Sequence, residues 1–169
     1  MSGKCFVDTN VLVYVEDLSA GEKCARAQEL TSDLWDSGKG IVSTQVLQEL
    51  YIALRRRLKI PVSIPAASGI VLDYFEWEVV INNQQSIIRA AELEARYKIS
   101  FWDGLILQAA ERAGAELMYS EDLSHGQIYG SVRVLNPFLD SLRPTGRLRQ
   151  PRPNRLCNIV IDHHSRKQY

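Results

Sequence analysis

The sequence predicts an α/β domain: one parallel sheet of five short strands flanked by helices. Three observations carry that expectation. Short apolar runs alternate with amphipathic stretches of helical period. The first run, Cys5-Phe6-Val7, ends directly in Asp8, as a doubly covered strand does when it delivers a carboxylate to its own C-terminal end, where open α/β sheets place their ligands. The chain has 169 residues, 46% hydrophobic and 24% charged, enough for one ordinary core and too few for two.

After Asp8 the apolar residues resume, with Thr9 and Asn10 standing between, and Asn10 to about Asp17 reads as a short helix. A longer amphipathic helix follows from about Ala20 to Asp36 and is stopped by Ser37-Gly38-Lys39-Gly40. Ile41-Val42 is the second strand, and Ser43 or Thr44 is placed to cap the third helix. There Val46, Leu47, Leu50, Tyr51, Leu54 and Leu58 recur with a 3.6 period and mark a core face. Arg55-Arg56-Arg57 and Lys59 close the helix at the end where cations suit its dipole.

Pro61 to Pro65 leads into a fourth helix, about Ala66 to Phe75, and Glu76 to Ile81 has strand character. The fifth helix, about Gln84 to Lys98, is expected to turn Ile87, Ile88, Ala91 and Ala95 inward. Ser100-Phe101-Trp102-Asp103 opens the sixth, with Trp102, Leu105, Ile106, Ala109, Ala110 and Ala113 on one face and Gly114 as its stop. Leu117 to Tyr119 is the fourth strand, Ser120 to Gly130 a polar loop, and Val132 to Leu135 the fifth strand before Asn136-Pro137. Right-handed crossovers would join such strands into a parallel sheet.

Residues 1–142 form the expected domain, and 143–169 read as a disordered basic appendage, with only Asn158 to Ile161 strand-like. From Ser141 onward there are seven basic residues and one acid, leaving 13 basic and 19 acidic in 1–140, so the body is net −6 and no simple cationic nucleic-acid platform. Cys5, Cys24 and Cys157 are odd in number, scattered and without CxxC spacing. They suggest a reduced cytoplasmic setting rather than a disulfide framework or zinc site. No apolar run reaches membrane-spanning length, and Asp8 interrupts the N-terminal one, so neither a membrane helix nor a secretory signal is expected.

Four acids fall where a parallel sheet gathers its ligands: Asp8 after the first strand, Glu49 in the second turn of the third helix, Asp103 in the first turn of the sixth, and Asp122 after the fourth strand. Each has a plainer role open to it. Asp8 can cap the next helix, Glu49 can be exposed helix surface, Asp103 can complete a capping box with Ser100, and Asp122 can be a solvated turn former. Their shared location argues for a site. Crowded carboxylates are costly unless a cation neutralises them, and hard oxygen donors without histidine or cysteine favour Mg²⁺ or Mn²⁺. An ion so held keeps waters and can offset phosphate charge, which is the chemistry of phosphodiester hydrolysis.

The segments Asp8-Thr9-Asn10-Val11-Leu12, the Glu49 helix opened by Ser43-Thr44-Gln45, Phe101-Trp102-Asp103, Ser120-Glu121-Asp122-Leu123 with Gly126-Gln127, and Asn136-Pro137-Phe138 resemble those of the PIN-domain nucleases, in particular the VapC toxins of bacterial and archaeal toxin–antitoxin pairs. The resemblance runs from about Lys4 to Leu139 in family order. It implies a PIN-like three-layer fold and a Mg²⁺- or Mn²⁺-dependent endoribonuclease acting on RNA. It further implies a toxin held in check by a cognate antitoxin, commonly as a homodimer. It makes Asp8, Glu49, Asp103 and Asp122 the acidic metal site, and Thr9, Asn10 and Ser120 the polar groups that orient ligands or water. The appendage departs from the usual short family chain.

Other residues carry two readings. Arg56, two turns after Glu49, is a candidate phosphate contact or a plain helix-end cation. Trp102 can stack a base, but its place on the apolar stripe favours core packing. His125 is a proton shuttle or a surface residue, and His163-His164 look like ligands only by composition. An aspartyl-nucleophile phosphatase would want a second acid two residues after Asp8, where Asn10 stands. A PIN-like module that only binds RNA or a partner would be expected to lack some of the acids.

Overall fold

A computed structural model describes residues 3–139. The expectations for Cys157, for a strand over 158–161, for His163 and His164, and for the appendage over 143–169 lie outside the described residues.

Six strands form one sheet: β1 (Cys5–Val7), β2 (Gly40–Ser43), β3 (Glu78–Val80), β4 (Leu117–Tyr119), β5 (Ile128–Tyr129) and β6 (Val132–Leu135), in the spatial order β3-β2-β1-β4-β6-β5. The five expected strands are mutually parallel, with Cys5 opposite both Gly40 and Leu117, and Leu117 opposite Arg133. The sixth, β5, lies inside the segment read as loop and pairs antiparallel to β6, so the sheet is mixed at one edge. Two residues joined to β6 through a turn at Gly130 carry too little apolar pattern to announce a strand.

Six helices cover the sheet: α1 (Thr9–Glu16), α2 (Glu22–Ser37), α3 (Thr44–Arg56), α4 (Ile64–Asp73), α5 (Gln84–Tyr97) and α6 (Phe101–Arg112), with short 3₁₀ turns at Leu18–Ala20 and Tyr74–Glu76. Their ends follow the local chemistry. Ser43 is the cap of α3, accepting from the Val46 amide at 3.3 Å, while Gly38 takes a left-handed φ of 65° beyond α2. The predicted face of α3 is the buried one, with Val46, Leu47, Leu50, Leu54 and Leu58 in the core and Tyr51 half-buried. They meet Phe6, Val7, Val11, Leu12, Met118 and Val134 in one continuous cluster.

Two helix faces differ from expectation. On α5 the buried residues are Ser86, Ala90 and Leu93, whereas Ile87, Ile88, Ala91 and Ala95 are exposed. The cause is a notch on the neighbouring helix: a Cβ on Gly104 of α6 would stand 2.5 Å from the Ala90 carbonyl oxygen, so α5 presses its small residues there and its bulky ones cannot enter. On α6, Gly104 to Ala110 are all buried, but Trp102 is 61% exposed rather than in the core. It lies in the first turn, ahead of the continuous buried run that begins at Gly104.

Candidate active site

The strand order reverses between β1 and β4: from β1 the sheet grows toward β2 on one side and toward β4 on the other. Such a switch point opens a crevice at the carboxyl ends of the strands. Val7 and Tyr119 are partners in register, so Asp8 and Ser120 leave the sheet side by side. The Asp8 amide donates to the Tyr119 carbonyl at 3.0 Å, and the Ser120 amide to that of Leu135 at 3.1 Å.

Asp8 is buried and fully engaged. Its Oδ1 accepts from the Thr9 amide at 2.6 Å, which makes it the cap of α1. Its Oδ2 accepts from Ser120 Oγ at 2.7 Å and from Asn10 Nδ2 at 2.9 Å. The plain reading and the functional one therefore coincide in this side chain. Asn10 Nδ2 also donates to Asp122 Oδ2 at 2.9 Å, and Ser120 Oγ accepts from the Asp122 amide at 3.2 Å. One amide and one hydroxyl thus hold two carboxylates against each other.

Glu49 joins from the other side. Thr9 Oγ1 donates to its Oε2 at 3.1 Å and Gln45 Nε2 to its Oε1 at 2.9 Å. Asp103 stands apart from this web. Its Oδ2 accepts from the Ser100 amide and hydroxyl, at 3.3 and 2.7 Å, while its own amide donates to Ser100 Oγ at 3.0 Å, completing the capping box. Its connection to the other acids is indirect: Gln45 Nε2 also donates to the Trp102 carbonyl at 3.5 Å. Both side-chain cap bonds fall on Oδ2, leaving Oδ1 out of the cap. Arg56 is exposed at the far end of α3, and His125 Nδ1 accepts from the Asn136 amide at 3.0 Å, pinning the loop between β4 and β6.

Sequence reasoning passed over the residues behind this web. Gln45 is one turn before Glu49, and Tyr14 one turn after Asn10, spacings that signal a shared face. Tyr14 Oη donates to Glu121 Oε1 at 2.7 Å, Lys23 Nζ bonds Glu121 Oε2 and Tyr14 Oη, and the ammonium lies 4.6 Å from the Tyr14 ring and 5.2 Å from that of Phe138. The cluster ties α1 and α2 to the residue preceding Asp122.

Burial pushes the Asp8 carboxyl up to about 7. The bonds from Ser120 and Thr9 oppose that rise, and the nearby Asp122 and Glu49 add to it. Buried acceptors also go unused here: Asn10 Oδ1 and Gln45 Oε1 have no hydrogen-bond partner. Buried hard oxygens, short of donors and repelling one another, suit a divalent cation in donor type and charge. No three acidic, histidine or cysteine side chains among the described residues already stand in ligating geometry. The acids are spaced instead by Thr9, Asn10 and Ser120.

The PIN domain family model matches residues 5–130. No curated protein matches the chain in sequence. Among solved structures, VapC20 of Mycobacterium tuberculosis, a sarcin–ricin-loop-cleaving toxin, is 20% identical with a TM-score of 0.54, over 68% of this chain and 87% of that one. A toxin–antitoxin complex from Klebsiella pneumoniae is 16% identical with a TM-score of 0.59, over 80% and 98%. DNA-bound VapBC from Salmonella typhimurium is 17% identical with a TM-score of 0.56, over 78% and 96%. These likenesses are of fold.

Proposed function

Because the chain belongs to the PIN-domain family, whose model spans residues 5–130, we propose that it is a metal-dependent endoribonuclease, the toxin of a VapC-type toxin–antitoxin pair. The observation that supports this reading best is the buried Asp8 carboxyl at the sheet's switch point, with Asp122 and Glu49 near enough to raise its pKa. Asp8, Glu49, Asp103 and Asp122 would hold a Mg²⁺ or Mn²⁺ ion. Bound there, the cation supplies charge neutralisation at the scissile phosphate and an acidified water.

The chain's own groups do the positioning. Asn10 spans Asp8 and Asp122 with a single amide nitrogen, Thr9 orients Glu49, and Ser120 fixes Asp8 Oδ2, so three carboxylates keep their directions before any cation enters. The partners that fit this reading are an RNA substrate, a cognate antitoxin and a second copy of the chain, in the cytoplasm. Two of the similar structures are toxin–antitoxin assemblies. No helix among the described residues is long and apolar enough to cross a membrane.

The test is a cleavage time course on RNA with Mg²⁺ or Mn²⁺, with and without EDTA, wild type beside Asp8→Asn. Cleavage that needs the ion and falls at least about 100-fold in Asp8→Asn is expected, with the circular dichroism spectrum unchanged. Cleavage indifferent to chelator removes the metal mechanism. RNA binding without cleavage by the wild type favours a non-catalytic module instead. The neighbouring reading frame tests the toxin assignment: it should encode an antitoxin.

A further inference from the structure

Lys23 stands in the first turn of α2, where a cation opposes the helix dipole and no side chain caps the helix. Its charge therefore gives α2 nothing. Its ammonium bonds Glu121 Oε2 and Tyr14 Oη, 4.6 Å from the Tyr14 ring and 5.2 Å from that of Phe138. The two rings meet edge-on at 5.0 Å, so the cation sits in an aromatic corner.

Glu121 is held at both oxygens, by Lys23 on Oε2 and by the Tyr14 hydroxyl on Oε1 at 2.7 Å. Its chain neighbour Asp122 is held by the Asn10 amide at 2.9 Å, one turn before Tyr14 on α1. Successive turns of one helix thus grip successive residues of one loop. The Phe138 wall is itself fixed. Its amide donates to Asn136 Oδ1 at 2.9 Å, and Arg26, one turn after Lys23, donates through Nε to the Pro137 carbonyl at 3.3 Å.

Repulsion is what such a grip opposes. Asp8 and Asp122 share a single amide nitrogen of Asn10, and Glu121 brings a third negative charge to the same loop. Left unneutralised, that charge favours a loop swung away from α1. Lys23 cancels it and draws the loop inward.

We propose that Lys23 is a positioning residue of the acidic site: by clamping Glu121 against Tyr14 it fixes the direction of Asp122, and so sets how tightly the site takes its divalent cation. The inference rests on the metal reading above. The bonds of Lys23 go to Glu121 and Tyr14 rather than to the four acids, so it acts through the loop.

The experiment titrates the full chain with Mn²⁺ in the absence of RNA and follows free Mn²⁺ by electron paramagnetic resonance, which reads the site without turnover. Lys23→Met keeps the stem and removes the charge. It should weaken Mn²⁺ binding about 10-fold, the low end for a group that supports a ligand, with Tm within about 4 °C of wild type. Charge alone predicts the opposite sign, because losing a nearby cation and unmasking Glu121 would tighten cation binding. Lys23→Arg keeps a charge that can bond Glu121 and lie against the rings, and should restore most of the affinity. Glu121→Ala should also weaken binding, and adding Lys23→Met to it should cost little more, since both remove one clamp. Unchanged or tighter binding by Lys23→Met overturns the inference and leaves the nuclease reading intact. Losses that multiply in the double variant overturn the route through Glu121, and a failure of arginine to rescue overturns the role of the charge. Failure of the metal reading has its own mark, a wild type that binds Mn²⁺ no better than Asp8→Asn.

Discussion

Glu16 ends α1 with Oε1 buried and unbonded, and burial, with Asp73 nearby, pushes its carboxyl up to about 7. Its pKa in the unfolded chain is near 4.5, so between about 4.5 and 7 the native state holds the extra proton and stability falls as pH rises. The neutral form's advantage is complete below 4.5 and gone above 7, a difference on the order of 3 kcal/mol. Asp8 titrates in the same window, so the comparison belongs in an Asp8→Asn background with EDTA. There Glu16→Gln should raise Tm at pH 8 by about 6–12 °C and flatten the pH slope. An unaltered slope would show that Glu16 is not the group responsible. None of this was readable in the sequence, where Glu16 is one acid among twenty. Asp8 was legible because an acid closing an apolar strand is locally odd, whereas the Lys23–Glu121 contact joins residues 98 apart in the chain.

The helices show which local signals survive tertiary packing. Caps did: Ser43 and the Ser100–Asp103 box are where sequence placed them, because capping is settled within four residues. The buried face of α5 was misread because two apolar faces competed, and periodicity cannot say which one a neighbour accepts. Gly104 decides it by letting Ala90 approach. Gly104→Ala should cost about 2 kcal/mol despite alanine's better helix propensity, because the new methyl meets backbone that cannot swing aside. Urea midpoints would measure it, and a neutral or stabilising result would mean that the two helices are not closely packed. The same substitution should blunt cleavage, since it moves the turn that carries Asp103.

At the scale of the whole molecule, the five parallel strands and their alternation with helices were legible, but the antiparallel β5 and the order β3-β2-β1-β4-β6-β5 were not, because side-chain pattern does not record which strands become neighbours. The domain boundary near residue 142 remains our proposal. A chain ending there should keep the Tm of the full protein within about 3 °C and its cleavage activity. Unfolding of that shorter chain would show that the appendage belongs to the core. Within the described domain, Asn10 is separated by 112 residues from the Asp122 it bonds, and Ser120 by the same span from Asp8. A ribosome-bound chain therefore carries no assembled centre until β4 has emerged and docked beside β1. On the proposed nuclease reading, the nascent chain stays harmless until its second half has been made, and any fragment lacking that half is born without the centre.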